Sequence, residues 1–126
     1  MSEATQRRAQ LGNATRWISP RVQDPASAKT VELTSSGNTL LVAAEEGYEI
    51  IVTALEVGNG DADDEVVYVR EGTTGSALHK CPVRGGSVVS RNLLGSELRL
   101  SAGSALYGNR TNSTGTVYVT VCFYRQ

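Results

Sequence analysis

The chain has 126 residues with 13 glycines, two cysteines, one histidine and a formal net charge of −1. This length fits one domain with a single core, and the residue counts exclude a multi-histidine metal site, a zinc ribbon and a disulfide scaffold. The near-neutral charge argues against nucleic acid as a partner, and no apolar run approaches the ~20 residues of a membrane span. The N-terminus lacks the apolar segment of a secretory signal, so we expect synthesis in a cytoplasm.

Residues 1–29 differ from the rest of the chain in charge and pattern. Five basic and two acidic residues give this segment a net charge of +3, whereas seven basic and eleven acidic residues give the remainder −4. Pro20 and Pro25 interrupt any long helix, and large apolar residues are sparse. The pattern predicts an extended N-terminal arm that becomes ordered against a partner; a tail without a role is the alternative. The candidate partner-binding residues of the arm are Arg7, Arg8, Arg16, Trp17 and Arg21.

From Thr30 onward, apolar and polar residues alternate with a period of two, which is typical of strands. Turn signals rich in Gly, Ser and Asn separate short alternating segments every 8–12 residues. The predicted strands are 30–34, 38–44, 48–57, 65–70, 77–83, 87–91, 97–100, 105–108 and 116–125.

Three strands carry more specific predictions. In the third, strict alternation predicts Ile50, Val52 and Ala54 on one face and the residues between them on the other. The fifth contains Pro82, which cannot donate to a ladder and so predicts an edge strand. In the last strand, Val117, Val119, Val121 and Phe123 should line one face.

About eight strands without a convincing helix predict an all-β fold. The expected architecture is an antiparallel β-sandwich, jelly-roll-like, over residues 30–126, preceded by the arm. Periodicity alone leaves the strand order open.

The sequence offers little for catalysis, and we predict that the chain is not an enzyme and has no cofactor. His79 lies two residues from Cys81, but no third residue is suggested that would orient a Cys–His pair. The two cysteines, Cys81 and Cys122, are expected to be free thiols.

An acidic stretch follows the third predicted strand. Asn59, Asp61 and Asp63 have the alternating spacing of calcium-loop ligands, so they are a weak candidate for a metal site. The helices and the distant bidentate Glu of an EF-hand are missing, and we therefore favour a solvated acidic turn without a metal.

Several phrases of the body resemble a known group of proteins. They include Ser36–Leu40, Ala43–Val52, Val67–Gly72, Leu98–Leu106 and Gly115–Val121. In this order they resemble small jelly-roll virion proteins of tailed bacteriophages, notably capsid decoration or cement proteins, over residues 30–125.

The resemblance implies a structural protein on the capsid surface of a virion, with the major capsid protein and further copies of itself, often as a homotrimer, as partners. It implies cementing of the capsid lattice, to which the arm would add contacts. A phage tail, baseplate or head-fibre adaptor is the alternative role, and a carbohydrate-binding module, which needs exposed aromatic residues on one face, is a lower one.

Overall fold

The computed structural model describes residues 26–33, 36–112 and 114–126, which fold into two antiparallel β-sheets. The strands are β1 (Ser27–Leu33), β2 (Thr39–Val42), β3 (Ile50–Asn59), β4 (Glu65–Glu71), β5 (Ala77–Val83), β6 (Val88–Asn92), β7 (Leu98–Arg99), β8 (Leu106–Arg110) and β9 (Val117–Arg125). The prediction of an all-β sandwich is confirmed. The predicted boundary after Lys29 lies inside β1, which begins at Ser27.

The strand order is that of a jelly roll. Sheet A has the order β1-β9-β3-β6, with the two-residue β7 also paired to β3, and sheet B has the order β2-β8-β4-β5. The pairs β1–β9, β2–β8, β3–β6 and β4–β5 nest inside one another, as in one long antiparallel hairpin rolled into two sheets. The described part of the chain contains no helix long and apolar enough to cross a bilayer.

The core lies between the two sheets and is aliphatic. In β9, Val117, Val119 and Val121 are fully buried and Phe123 is 7% exposed, which confirms the face predicted for this strand. Branched side chains suit this position because they pack well on a pleated surface. Pro82 lies on β5, at the edge of sheet B, as its missing N–H group predicted.

The alternation predicted for β3 is wrong beyond Val52, because the strand contains a β-bulge. The register with β9 shifts between Val52 and Ala54, so Thr53 is the additional residue. Leu55 and Val57 therefore continue the buried face that starts with Ile50 and Val52, and Ala54 joins the opposite face.

A substitution at Leu106 of β8 tests the packing of the core. The Leu106 side chain has no exposed surface, so Leu106→Ala should lower the free energy of unfolding by about 2–5 kcal/mol through lost burial and a cavity. Leu94→Ala is the matched control, because Leu94 is 69% exposed, and it should cost less than about 0.5 kcal/mol. Urea denaturation measures both changes, and equal losses would contradict this packing.

Candidate functional site

A buried polar network occupies the end of the sandwich where the acidic stretch lies. Asn59, Asp61, Glu65 and Arg110 are all less than 9% exposed. In the turn between β3 and β4 only Asp61 is buried, whereas Gly60, Ala62, Asp63 and Asp64 are exposed. The turn is therefore solvated, as the sequence favoured, except at Asp61.

Arg110 is the centre of this network. Its side chain has no exposed surface, and its Nη2 group donates to Glu65 Oε2 at 2.8 Å and to Asp61 Oδ2 at 3.4 Å. Nη1 donates to the backbone carbonyl oxygens of Leu33 at 2.7 Å and Gly115 at 3.0 Å. One guanidinium group thereby joins the end of β1, the start of β4, the β3–β4 turn and the β8–β9 loop.

The carboxylates of the network are satisfied by protein donors. Glu65 Oε1 accepts from the Thr111 hydroxyl and the Asn112 backbone N–H, and Asp61 Oδ2 also accepts from the Thr114 hydroxyl at 3.2 Å. Burial alone raises the pKa of Asp61, but hydrogen bonds, including those from the Asp63 backbone and Thr114, outweigh it and hold the pKa below its usual value.

The predicted calcium-loop residues serve this network. Asn59 Oδ1 accepts from the Asp61 backbone N–H at 2.8 Å, and Asn59 Nδ2 donates to the carbonyl oxygens of Asp63 and Val83. The side-chain oxygen atoms of Asn59 and Asp61 thus have protein partners. Within the described residues, no three His, Cys, Asp or Glu side chains form a group that could hold a metal ion.

His79 and Cys81 both lie on β5, and Cys81 is buried. Burial lowers the pKa of His79, and nearby Arg91 adds to this effect. Burial raises the pKa of the Cys81 thiol, although Arg91 opposes the change. A raised pKa disfavours the thiolate that a nucleophile needs. Cys81 and Cys122 are free, as predicted, because Cys81 is buried between the sheets whereas Cys122 lies on the outer side of sheet A.

The outer face of sheet A is a flat array of mostly small side chains, which we call the acidic face. Register and alternation place three rows of four residues there: Glu32-Tyr118-Gly58-Val88, Thr30-Thr120-Glu56-Ser90 and Ala28-Cys122-Ala54-Asn92. A 2.8 Å hydrogen bond between Thr30 and Thr120 hydroxyls confirms their common side. Glu32 and Glu56 are the only charged residues in this array, and Tyr118 and Val88 are 48% and 63% exposed.

The outer face of sheet B has a different character, and we call it the basic face. The charged residues on its outward strand positions are Arg70 and Lys80. Arg70 is held in place: Nε donates to Asn109 Oδ1 at 3.2 Å, and the guanidinium lies 5.8 Å from the centre of the Tyr68 ring. Tyr107 is paired with Arg70, while Leu40 and Leu78 are exposed by 41% and 37%.

The arm residues Arg7, Arg8, Arg16, Trp17 and Arg21 lie outside the described residues. Sequence analysis singled out neither Arg110 nor the basic face. Alternation in β4 and β8 could have placed Tyr68 and Arg70 on one face, but only the strand order puts Asn109 and Tyr107 beside them.

Comparison of the chain with protein-family models and with curated protein sequences found no significant match.

Arg110→Met should be strongly destabilising. The substitution keeps much of the side-chain volume but leaves two buried carboxylates without their cation, so the free energy of unfolding should fall by about 3–5 kcal/mol. Arg99→Met is the matched control, because Arg99 forms an exposed ion pair with Glu49 at 2.7 Å and should cost less than about 1 kcal/mol. Chemical denaturation compares them, and a tolerated Arg110→Met would show that the network contributes little.

Asp61 should make stability depend on pH in the acid range. Its pKa is lowered in the folded state from 3.8, so its stabilising contribution is complete above that value and is lost as the pH falls through the folded pKa. The difference in unfolding free energy between the wild type and Asp61→Asn should be constant from pH 5 to 7 and narrow below about pH 4. A difference that widens on acidification would contradict this sign.

Proposed function

We propose that this chain is a structural virion protein that binds the outside of a phage capsid lattice and stabilises it through its β-domain and N-terminal arm. The observation that carries the proposal is the basic face, where Arg70 is held between Tyr68 and Asn109 on a rigid sheet. Arginine and tyrosine are enriched where protein surfaces meet. A guanidinium that is already positioned loses little conformational entropy when it binds.

The distribution of charge supports the same proposal. The basic face and residues 1–25, which carry four basic and two acidic side chains, both suit an acidic partner surface, although the chain as a whole is slightly negative. The resemblance to small jelly-roll virion proteins names the partner as the major capsid protein. The homotrimer that the resemblance implies belongs to this proposal, since several copies would multiply weak contacts on a lattice.

Charge reversal on the basic face should weaken binding to capsids assembled without this chain. The chain has two lysines, which form a matched pair: Lys80 is exposed on the basic face and Lys29 is exposed on β1 of sheet A. Lys80→Glu should lower the affinity severalfold, and Arg70→Glu by about tenfold, as expected for an arginine in the centre of an interface. Lys29→Glu should bind like the wild type. Co-sedimentation with the capsids measures the occupancy.

The same assay tests the arm, using a chain that begins at Ala26 and so leaves β1 complete. This variant should remain folded and bind with lower occupancy. The proposal would be overturned if Lys80→Glu and Arg70→Glu both bound like the wild type, or if mass spectrometry did not detect the chain in purified particles. Detection on tails and not on heads would favour the adaptor role.

A carbohydrate-binding role is the second candidate, and the basic face supports it. Tyr68 of β4 and Tyr107 of β8 are half-buried neighbours on one surface, and Asn109 of β8 is paired with Tyr68. Aromatic rings with a few polar groups are typical of sites that bind small polar ligands. A glycan array separates the two roles, because binding that Tyr107→Ala abolishes would favour the carbohydrate.

A further inference from the structure

The acidic face is an uncovered sheet surface, and its composition is unusual for one that faces water. Seven of the twelve residues in its three rows are Ala, Gly, Ser, Thr or Cys. Small side chains leave a shallow groove of about 270 Å³ beside Ala54, Thr120 and Cys122. The face therefore offers room for a large side chain and two carboxylates for cations.

Residues 16–21, Arg-Trp-Ile-Ser-Pro-Arg, have the complementary chemistry. They combine two arginines with the only tryptophan of the chain, and residues 1–25 as a whole carry four basic and two acidic side chains. An indole ring covers a large apolar area with little loss of conformational entropy. The charges of the segment and of the face are opposite in sign.

The tether between the segment and the face is short. Arg21 lies six residues before Ser27, which opens β1 at one edge of sheet A, so the intervening chain spans up to about 20 Å. Glu56 lies on β3, two strands away from β1 in sheet A, and its position along the strands is three residues from that of Ser27. The two residues are therefore roughly 15 Å apart. A tether of this length gives an effective concentration in the millimolar range.

We propose that residues 16–21 of the arm dock on the acidic face of their own β-domain. In this arrangement Trp17 occupies the groove beside Ala54 and Cys122, and Arg16 and Arg21 pair with Glu56 and Glu32. Arg7 and Arg8 lie beyond the docked segment and remain available to a partner. The proposal concerns the free protein and does not depend on binding to a capsid.

Two other occupants fit the observations less well. A second copy placed face to face would bring Glu32 and Glu56 against their own equivalents, which costs free energy through repulsion of like charges. The basic face of a second copy has the opposite charge, but that contact is heterologous and continues into open chains unless its rotation closes a ring. The tethered arm has the complementary charge without either cost.

Cysteine cross-linking tests the proposal, because Cys122 is a thiol on the acidic face whereas Cys81 is 2% exposed. The variant Ser19→Cys, under mild oxidation, should form an intramolecular disulfide and migrate as a monomer on a non-reducing gel. Adding Cys122→Ser should abolish the product, which assigns the bond to the acidic face.

The dependence of the cross-linking rate on charge distinguishes a docked arm from an arm that reaches Cys122 by random collision. Glu56→Lys should slow cross-linking of Ser19→Cys roughly fivefold, the scale of one exposed ion pair, and 1 M salt should slow it similarly. Glu46→Lys is the matched control, because Glu46 is exposed in the loop between β2 and β3, and it should leave the rate unchanged. Equal rates in both lysine variants would identify a freely moving arm and overturn the proposal. A disulfide-linked dimer would assign the face to a second copy and overturn it as well.

Discussion

The guanidinium of Arg110 is fully enclosed, and burying a cation costs much free energy unless acceptors pair with it. Those acceptors come from four places in the chain: the end of β1, the β3–β4 turn, the start of β4 and the β8–β9 loop. The ion network thereby ties together both sheets at one end of the sandwich. Gly115 belongs to this constraint, because a Cβ atom there would lie 2.8 Å from the Asp61 side chain.

With one end of the sandwich closed in this way, the two outer faces remain as surfaces for contact. The basic face presents a fixed arginine among tyrosines, and the acidic face presents small residues and two glutamates. The two proposals use these faces separately, with a partner on the basic face and the arm on the acidic face. The aliphatic core between the sheets keeps each face rigid, so the β-domain loses little conformational entropy when either face binds.

Much of the fold could be predicted, because two-residue periodicity and turn residues are local properties. Each predicted strand lies within a few residues of one in the structure, and Pro82 correctly predicted that β5 is an edge strand. The bulge at Thr53 could not be predicted, since it depends on pairing with β9, which is 69 residues away along the chain. For the same reason Leu55 and Val57 were assigned to the wrong face of β3.

The sequence by itself determined the β-character of this protein, the aliphatic face of β9 and the contrast in charge between the first 29 residues and the rest. These follow from composition and from neighbours along the chain. Only the tertiary structure decided the strand order, the burial of Asp61 and Glu65 around Arg110, and the separation of Glu56 and Arg70 onto opposite faces. Those features depend on pairs such as Glu65 and Arg110, 45 residues apart, whose approach is set by sheet topology and cannot be read from local pattern.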